Sequence, residues 1–140
     1  MQSIWKYPYS IWSYIEQLTF SRNLNWIHLE GFQFEQSFFV GKYQTPCSQI
    51  FIGGWKNTKS VIRLNKVQPN KAEVDTPNIL SDAEYRGFWI SWKGGLVEVG
   101  KEGESSPFLK WQNPEPFDVR HYGICTGWGA TGSWFVGERF

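Results

Sequence analysis

Apolar and polar positions alternate most clearly in the second half of the chain, with the two-residue period of a β-strand. In Gly87–Trp92 (GFWISW), Phe88, Ile90 and Trp92 fall on one face and Trp89 and Ser91 on the other. Lys93-Gly94-Gly95 breaks the run and Leu96–Val99 resumes it, which predicts a hairpin. Upstream, Gln49–Trp55 (QIFIGGW) reads as a strand, Lys56–Lys59 as a polar loop and Ser60–Leu64 (SVIRL) as the returning strand. Gln68-Pro69-Asn70 predicts a turn and Ala72–Asp75 a short strand. Ser81–Glu84 has the Ser-x-x-Glu spacing of a capping box, with room for one helical turn before Gly87.

Glu102–Pro116 is polar and proline-containing, so it predicts a long loop carrying Phe108 and Trp111. Asp118–Thr126 reads as a strand, Gly127–Gly132 as a glycine-rich hairpin turn and Ser133–Arg139 as a final strand. Ahead of Thr45-Pro46 the pattern is irregular: apolar residues at Ile11, Trp12, Tyr14, Ile15 and Leu18 predict a short helix, and Phe32–Val40 is strand-like. The expectation is an all-β single domain, an antiparallel β-sandwich of jelly-roll type with a short N-terminal helix. Residues 1–45 form a divergent segment packed on a β domain at 46–140.

A chain of 140 residues has the length of one domain with one core. Aromatic residues make up 19% of it, with nine Trp and eleven Phe, so many large rigid side chains must be packed or displayed. Fourteen Lys and Arg against thirteen Asp and Glu leave no charge footprint for nucleic acid or an anionic membrane. Lys6, Pro8, Ser10, Ser13 and Glu16 interrupt the apolar N-terminus, so it does not read as a signal peptide. No stretch approaches the roughly 20 apolar residues of a membrane span. A cytoplasmic location is expected, with Cys47 and Cys125 as two small reduced thiols.

Gly127–Gly132 (GWGATG) fits the dinucleotide pattern G-x-G-x-x-G. That chemistry needs a helix after the glycines, to face the pyrophosphate, and an acidic ribose ligand about 20 residues on. Only eight residues follow and they are β-like, so neither a dinucleotide nor an S-adenosylmethionine site of that kind is expected. His121 and Cys125 stand four apart on a strand, roughly 13 Å, too far to share one metal ion. No spacing among Glu73, Asp75, Glu98, Glu102, Glu104 and Asp118 selects a catalytic pair.

The tryptophans carry the functional signal. Trp55, Trp89, Trp92, Trp111, Trp128 and Trp134 lie at strand ends or in loops. Trp128 is flanked by glycines and Trp111 sits in the polar loop, so these two rings are the candidate stacking surface. Asn57 and Arg86 are the candidate polar partners, with Arg63 and Arg120 as further planar groups suited to hydroxyls.

Four runs resemble one family: FIGGWKNTKSVIRLNK from Phe51, VDTPNILSDAEYRGFWISW from Val74, VGKEGESSPFLKWQNPEPF from Val99 and GICTGWGATGSW from Gly123. They are similar to the farnesoic acid O-methyltransferase domain of arthropods, over Ile50–Trp134. The resemblance implies a β-sandwich and a link to methyl farnesoate and juvenile hormone synthesis. It carries over no catalytic residues. Before Cys47 the chain departs from the family pattern, and a missing edge strand there would expose a sheet edge to self-association.

Two functions follow as expectations. The first is a non-catalytic ligand-binding module for a glycan or a protein partner, with no cofactor and no metal. The second is an S-adenosylmethionine-dependent O-methyltransferase, as the family name implies.

Overall fold

The computed structural model describes residues 2–7, 13–14, 26–32, 36–41, 46–84, 86–119, 121–126 and 132–138. Twelve strands are assigned among them. They are β1 (Gln2–Tyr7), β2 (Ser13–Tyr14), β3 (Trp26–Phe32), β4 (Gln36–Gly41), β5 (Cys47–Gly53) and β6 (Lys59–Leu64). They continue with β7 (Val67–Asp75), β8 (Arg86–Ser91), β9 (Leu96–Lys101), β10 (Leu109–Gln112), β11 (His121–Thr126) and β12 (Gly132–Glu138). The strands make two antiparallel six-stranded sheets, ordered β1-β12-β3-β8-β9-β10 and β2-β11-β4-β5-β6-β7. Each sheet contains strands from both sides of residue 46.

The alternation read from the sequence is the packing pattern of the sandwich. Ile50, Ile52 and Ile62 from the second sheet meet Phe88, Ile90, Val97, Val99 and Leu109 from the first in one buried cluster. Cross-strand partners carry it through each sheet: Ile50 faces Ile62, Ile90 faces Val99, and Val99 faces Leu109. Each of these side chains contributes about 1.5–3 kcal/mol on burial. Ile79, Leu80 and Trp92, from the connections, close the ends of the cluster.

Several local expectations are corrected. The turn expected at Gln68–Asn70 lies earlier. Asn65 and Lys66, at φ 55° and 64°, form a two-residue hairpin loop, and β7 starts at Val67 but bulges over Gln68–Lys71, where its register against β6 shifts before Ala72 pairs with Ile62. Pro69 is accommodated because β7 is an edge strand, where a residue without N–H leaves no neighbour unpaired.

The loop expected over Glu102–Pro116 contains β10, in which Leu109 and Trp111 pair with Val99 and Val97. Ser81–Glu84 forms no helix; Ser81 Oγ accepts from Ala83 N–H at 3.1 Å, so the hydroxyl caps a bend instead. Within the expected helix Ile11–Leu18, the described residues Ser13 and Tyr14 are strand β2, paired with β11. The strands on either side of the glycine-rich segment, β11 and β12, lie in different sheets and are not paired as a hairpin. Residues 127–131, Trp128 included, lie outside the described residues.

The β5–β6 connection is a helical turn, Gly54–Asn57, wound in the unusual sense. Trp55, Lys56 and Asn57 have φ of 50°, 58° and 63°, and Thr58 N–H donates to Gly54 C=O at 3.1 Å. Left-handed backbone costs L-residues about 1–2 kcal/mol each. The surrounding contacts must therefore hold this turn in place.

Candidate functional site

The turn is held by the segment that follows β7. Asn57 is 7% exposed, and its side-chain amide pairs with Leu80 as a strand backbone would: Nδ2 donates to Leu80 C=O at 2.8 Å and Oδ1 accepts from Leu80 N–H at 2.9 Å. Two backbone bonds run alongside. Asn78 N–H donates to Asn57 C=O, and Thr76 N–H to Thr58 C=O, each at 2.9 Å. The buried hydroxyls of Ser60 and Thr76 meet at 2.7 Å, and Ser60 Oγ also accepts from Gly53 N–H at 3.2 Å. A Cβ on Gly53 would come within 2.6 Å of Leu80 Cδ1, so the turn and the segment fit closely only with glycine there.

The other side of Thr76–Leu80 is gripped by Arg86. Its Nη1 donates to the carbonyls of Asn78 and Ile79 at 2.6 and 3.2 Å, and Glu84 holds its Nε and Nη2 at 3.0 Å. Asn57 and Arg86, both singled out from the sequence, thus act on one segment from opposite sides. Asn57 spends both polar atoms of its amide on the segment, and Arg86 spends Nη1 on it and Nε and Nη2 on Glu84.

That segment is one wall of a groove of about 640 Å³ at an end of the sandwich. Val74–Ile79 form the wall, Arg86, Gly87 and Phe88 the base, and Lys101, Glu102 and Phe108 the far side. Phe88 and Phe108 meet edge-to-face with centroids 6.4 Å apart. The opposite wall is tied down by Glu102 N–H donating to Gly87 C=O and Phe108 N–H to Val99 C=O, both at 2.9 Å. The groove therefore joins aromatic and aliphatic side chains to a rim holding carboxylates, an amide and cations.

Of the two rings expected to form the stacking surface, Trp128 lies outside the described residues. Trp111 points into the sandwich from β10 and packs half-buried against the core, away from the groove lining. Trp89 lies over Gly100, its cross-strand partner, and donates Nε1–H to Glu104 C=O at 2.8 Å. Trp55, 40% exposed on the left-handed turn, is more displayed than Trp89, Trp92 or Trp111. Lys59 Nζ lies 4.7 Å and Arg63 Cζ 5.4 Å from its ring centroid. The sequence marked Trp55 only as a strand-end tryptophan; the Gly53-Gly54 pair before it and the basic residues after it were the available signal. Among the described residues, no three His, Cys, Asp or Glu side chains group to hold a metal ion.

A family model described as farnesoic acid methyl transferase matches residues 33–140. The match starts well ahead of Ile50, so β4 falls inside it. No curated protein matches the chain.

Solved structures with a similar fold include two glucanases and a glycosidic hydrolase. A β-1,3-1,4-glucanase (lichenase) from a mouse hindgut metagenome superimposes with a TM-score of 0.57 at 13% identity, over 82% of this chain and 65% of that one. A native glycosidic hydrolase gives 0.56 at 11% identity, over 83% and 64%. The β-glucanase of Bacillus licheniformis gives 0.55 at 12% identity, over 84% and 66%. The chain thus spans about two-thirds of the length of these structures, and the likeness is one of fold.

Proposed function

We propose that this chain, which belongs to the farnesoic acid O-methyltransferase family, works as a ligand-binding β-sandwich module that holds a carbohydrate in the end groove. One observation carries the reading. The groove sets Phe88, Phe108, Val74 and Ile79 beside Asp75, Thr76, Asn78, Arg86, Lys101 and Glu102 in a space of about 640 Å³. A sugar ring presents the matching pair of surfaces, an apolar C–H face and a rim of hydroxyls that both donate and accept.

The wall built by Thr76–Leu80 is latched at Asn57, Ser60 and Arg86. A ligand therefore has little loop ordering to bring about, which favours affinity. The fold shared with structures described as glucanases supports carbohydrate over other small ligands, as an analogy of shape.

Isothermal titration with mixed-linkage β-glucan oligosaccharides tests the reading. Micromolar to millimolar binding is expected, lost in Lys101→Ala and Asp75→Asn while the thermal melt is kept, because both residues are exposed rim positions. The methyl transfer named by the family description is the second reading. Heat from S-adenosylmethionine titration, with none from any oligosaccharide, would replace the first reading by the second.

A further inference from the structure

We infer that the left-handed turn Gly54–Asn57 and the adjoining ends of β6 and β7 carry a second ligand site, centred on Trp55 and Arg63, for an anionic carbohydrate. It is distinct from the end groove: neither residue lines that space. The inference stands whether or not the groove binds a neutral sugar.

Three observations converge here. Trp55 is 40% exposed on a backbone held in the left-handed region at three successive non-glycine residues. Strain of this kind persists only when neighbouring contacts enforce it, and it is concentrated at functional positions. Here the Asn57–Leu80 pairing enforces it, and the outcome is a displayed indole.

The second observation is a guanidinium fixed in place. Arg63 Cζ lies 5.1 Å from the Phe51 ring centroid and 5.4 Å from that of Trp55, and Phe51 meets Trp55 edge-on at 5.7 Å. Its Nε donates to Asn70 Oδ1 at 2.7 Å, while Nη1 and Nη2 have no hydrogen-bond partner among the described residues. The guanidinium is oriented by its Nε bond and its two ring contacts, and among the described residues its terminal nitrogens are unshared, the arrangement that takes a carboxylate or sulfate in a bidentate pair.

The third is charge. Asn70 Nδ2 donates to Glu73 Oε2 at 2.6 Å and Lys59 Nζ to Glu73 Oε1 at 2.9 Å. The acidic residue at the site is therefore already engaged by two donors. Within the hydrogen-bonded network, Lys59 and Arg63 stand against Glu73, with Asp75 as the cross-strand neighbour of Lys59 and Arg63 as the cation farthest from it along β6. An oxyanion on the Arg63 fork would bring the sugar that bears it against the exposed indole, where its C–H face gains contact. An acidic peptide would supply the oxyanion without that apolar face, so the exposed ring favours the sugar.

The test is titration of the intact chain with oligogalacturonate, dextran sulfate, a neutral β-glucan oligosaccharide and an oligo-glutamate peptide of matched charge. Binding of at least one anionic glycan, weakened by added salt and at least tenfold tighter than oligo-glutamate, is expected. Arg63→Lys keeps the charge but loses the fork, and should weaken the anionic glycan about tenfold. Trp55→Ala should do the same, and Lys59→Gln should weaken it about threefold. Lys101→Ala in the groove should leave it unchanged. No binding of either anionic glycan, equal affinity for oligo-glutamate, or an unchanged affinity in a folded Arg63→Lys variant would overturn the inference.

Discussion

Replacing Asn57 by Ala removes a side chain that does three things at once. Its Nδ2 satisfies Leu80 C=O, its Oδ1 satisfies Leu80 N–H, and its residue type tolerates φ of 63°. Leu80 is 3% exposed, so truncation strands a donor and an acceptor where water has poor access. A buried polar group left unpaired costs about 1–3 kcal/mol. Two such groups, with partial relaxation of the segment, cost about 2–4 kcal/mol. Forcing Ala into the left-handed region adds about 1 kcal/mol.

The expected loss is therefore about 3–5 kcal/mol, a large share of the 5–15 kcal/mol typical of a domain. Urea unfolding should show it as a lower midpoint with an unchanged slope. Asn57→Gly separates the components, because glycine restores the backbone freedom but not the pairing. It should recover about 1 kcal/mol and no more. A loss below about 1 kcal/mol in Asn57→Ala, or full recovery in Asn57→Gly, would refute the assignment of the amide as the latch.

Gly100→Ala would drive a Cβ into the Trp89 indole, which Glu104 C=O anchors at Nε1, so a loss of about 2–3 kcal/mol in chemical denaturation is expected; in a Trp89→Ala background the same change should cost much less. Burial pushes the Cys47 thiol above its ordinary pKa, against the opposing charge of Lys66. The stability it contributes is therefore complete below the ordinary thiol value of about 8.5 and lost as pH rises through the folded one; alkylation of Cys47, followed by peptide mapping, should be slow at pH 8 until urea unfolds the chain. Hydrogen bonds from Lys59 and Asn70 hold the Glu73 carboxyl below the usual glutamate range. The support it lends is present above about pH 4.3 and fades as pH falls through the folded value; a carbon-detected NMR titration should find that low midpoint, and Lys59→Gln should raise it.

The core was legible because it rests on a period of two. Phe88, Ile90, Val97, Val99 and Leu109 alternate with outward residues, and a short-range pattern suffices to see that. The edge strands were not. Pro69 and the polar run around Leu109 carry turn-like signals, because an edge strand is under less pressure to bury both faces or donate every N–H. Trp111 was assigned to a loop for this reason, although Leu109 and Trp111 alternate with Lys110 and Gln112 as a strand requires.

The candidate groove was legible in part, for a related reason. Arg86 was chosen from the sequence as a planar polar group and does line the groove, but its Nη1 is turned toward the carbonyls of Asn78 and Ile79. Asn57 looked like a solvent-facing residue in a polar loop, yet its partner is Leu80, 23 residues on, and only closure of the sandwich brings the two together. The residues that shape the wall are thus the ones that secure the fold beneath it. A variant at Asn57 or Arg86 that loses binding says nothing by itself about contact with a ligand, because the wall moves when its latch is removed. Asp75 and Lys101 lie on the same rim and are exposed, and among the described residues neither side chain bonds to the wall. Binding lost there, with the unfolding midpoint retained, is the result that distinguishes a ligand contact from a latch.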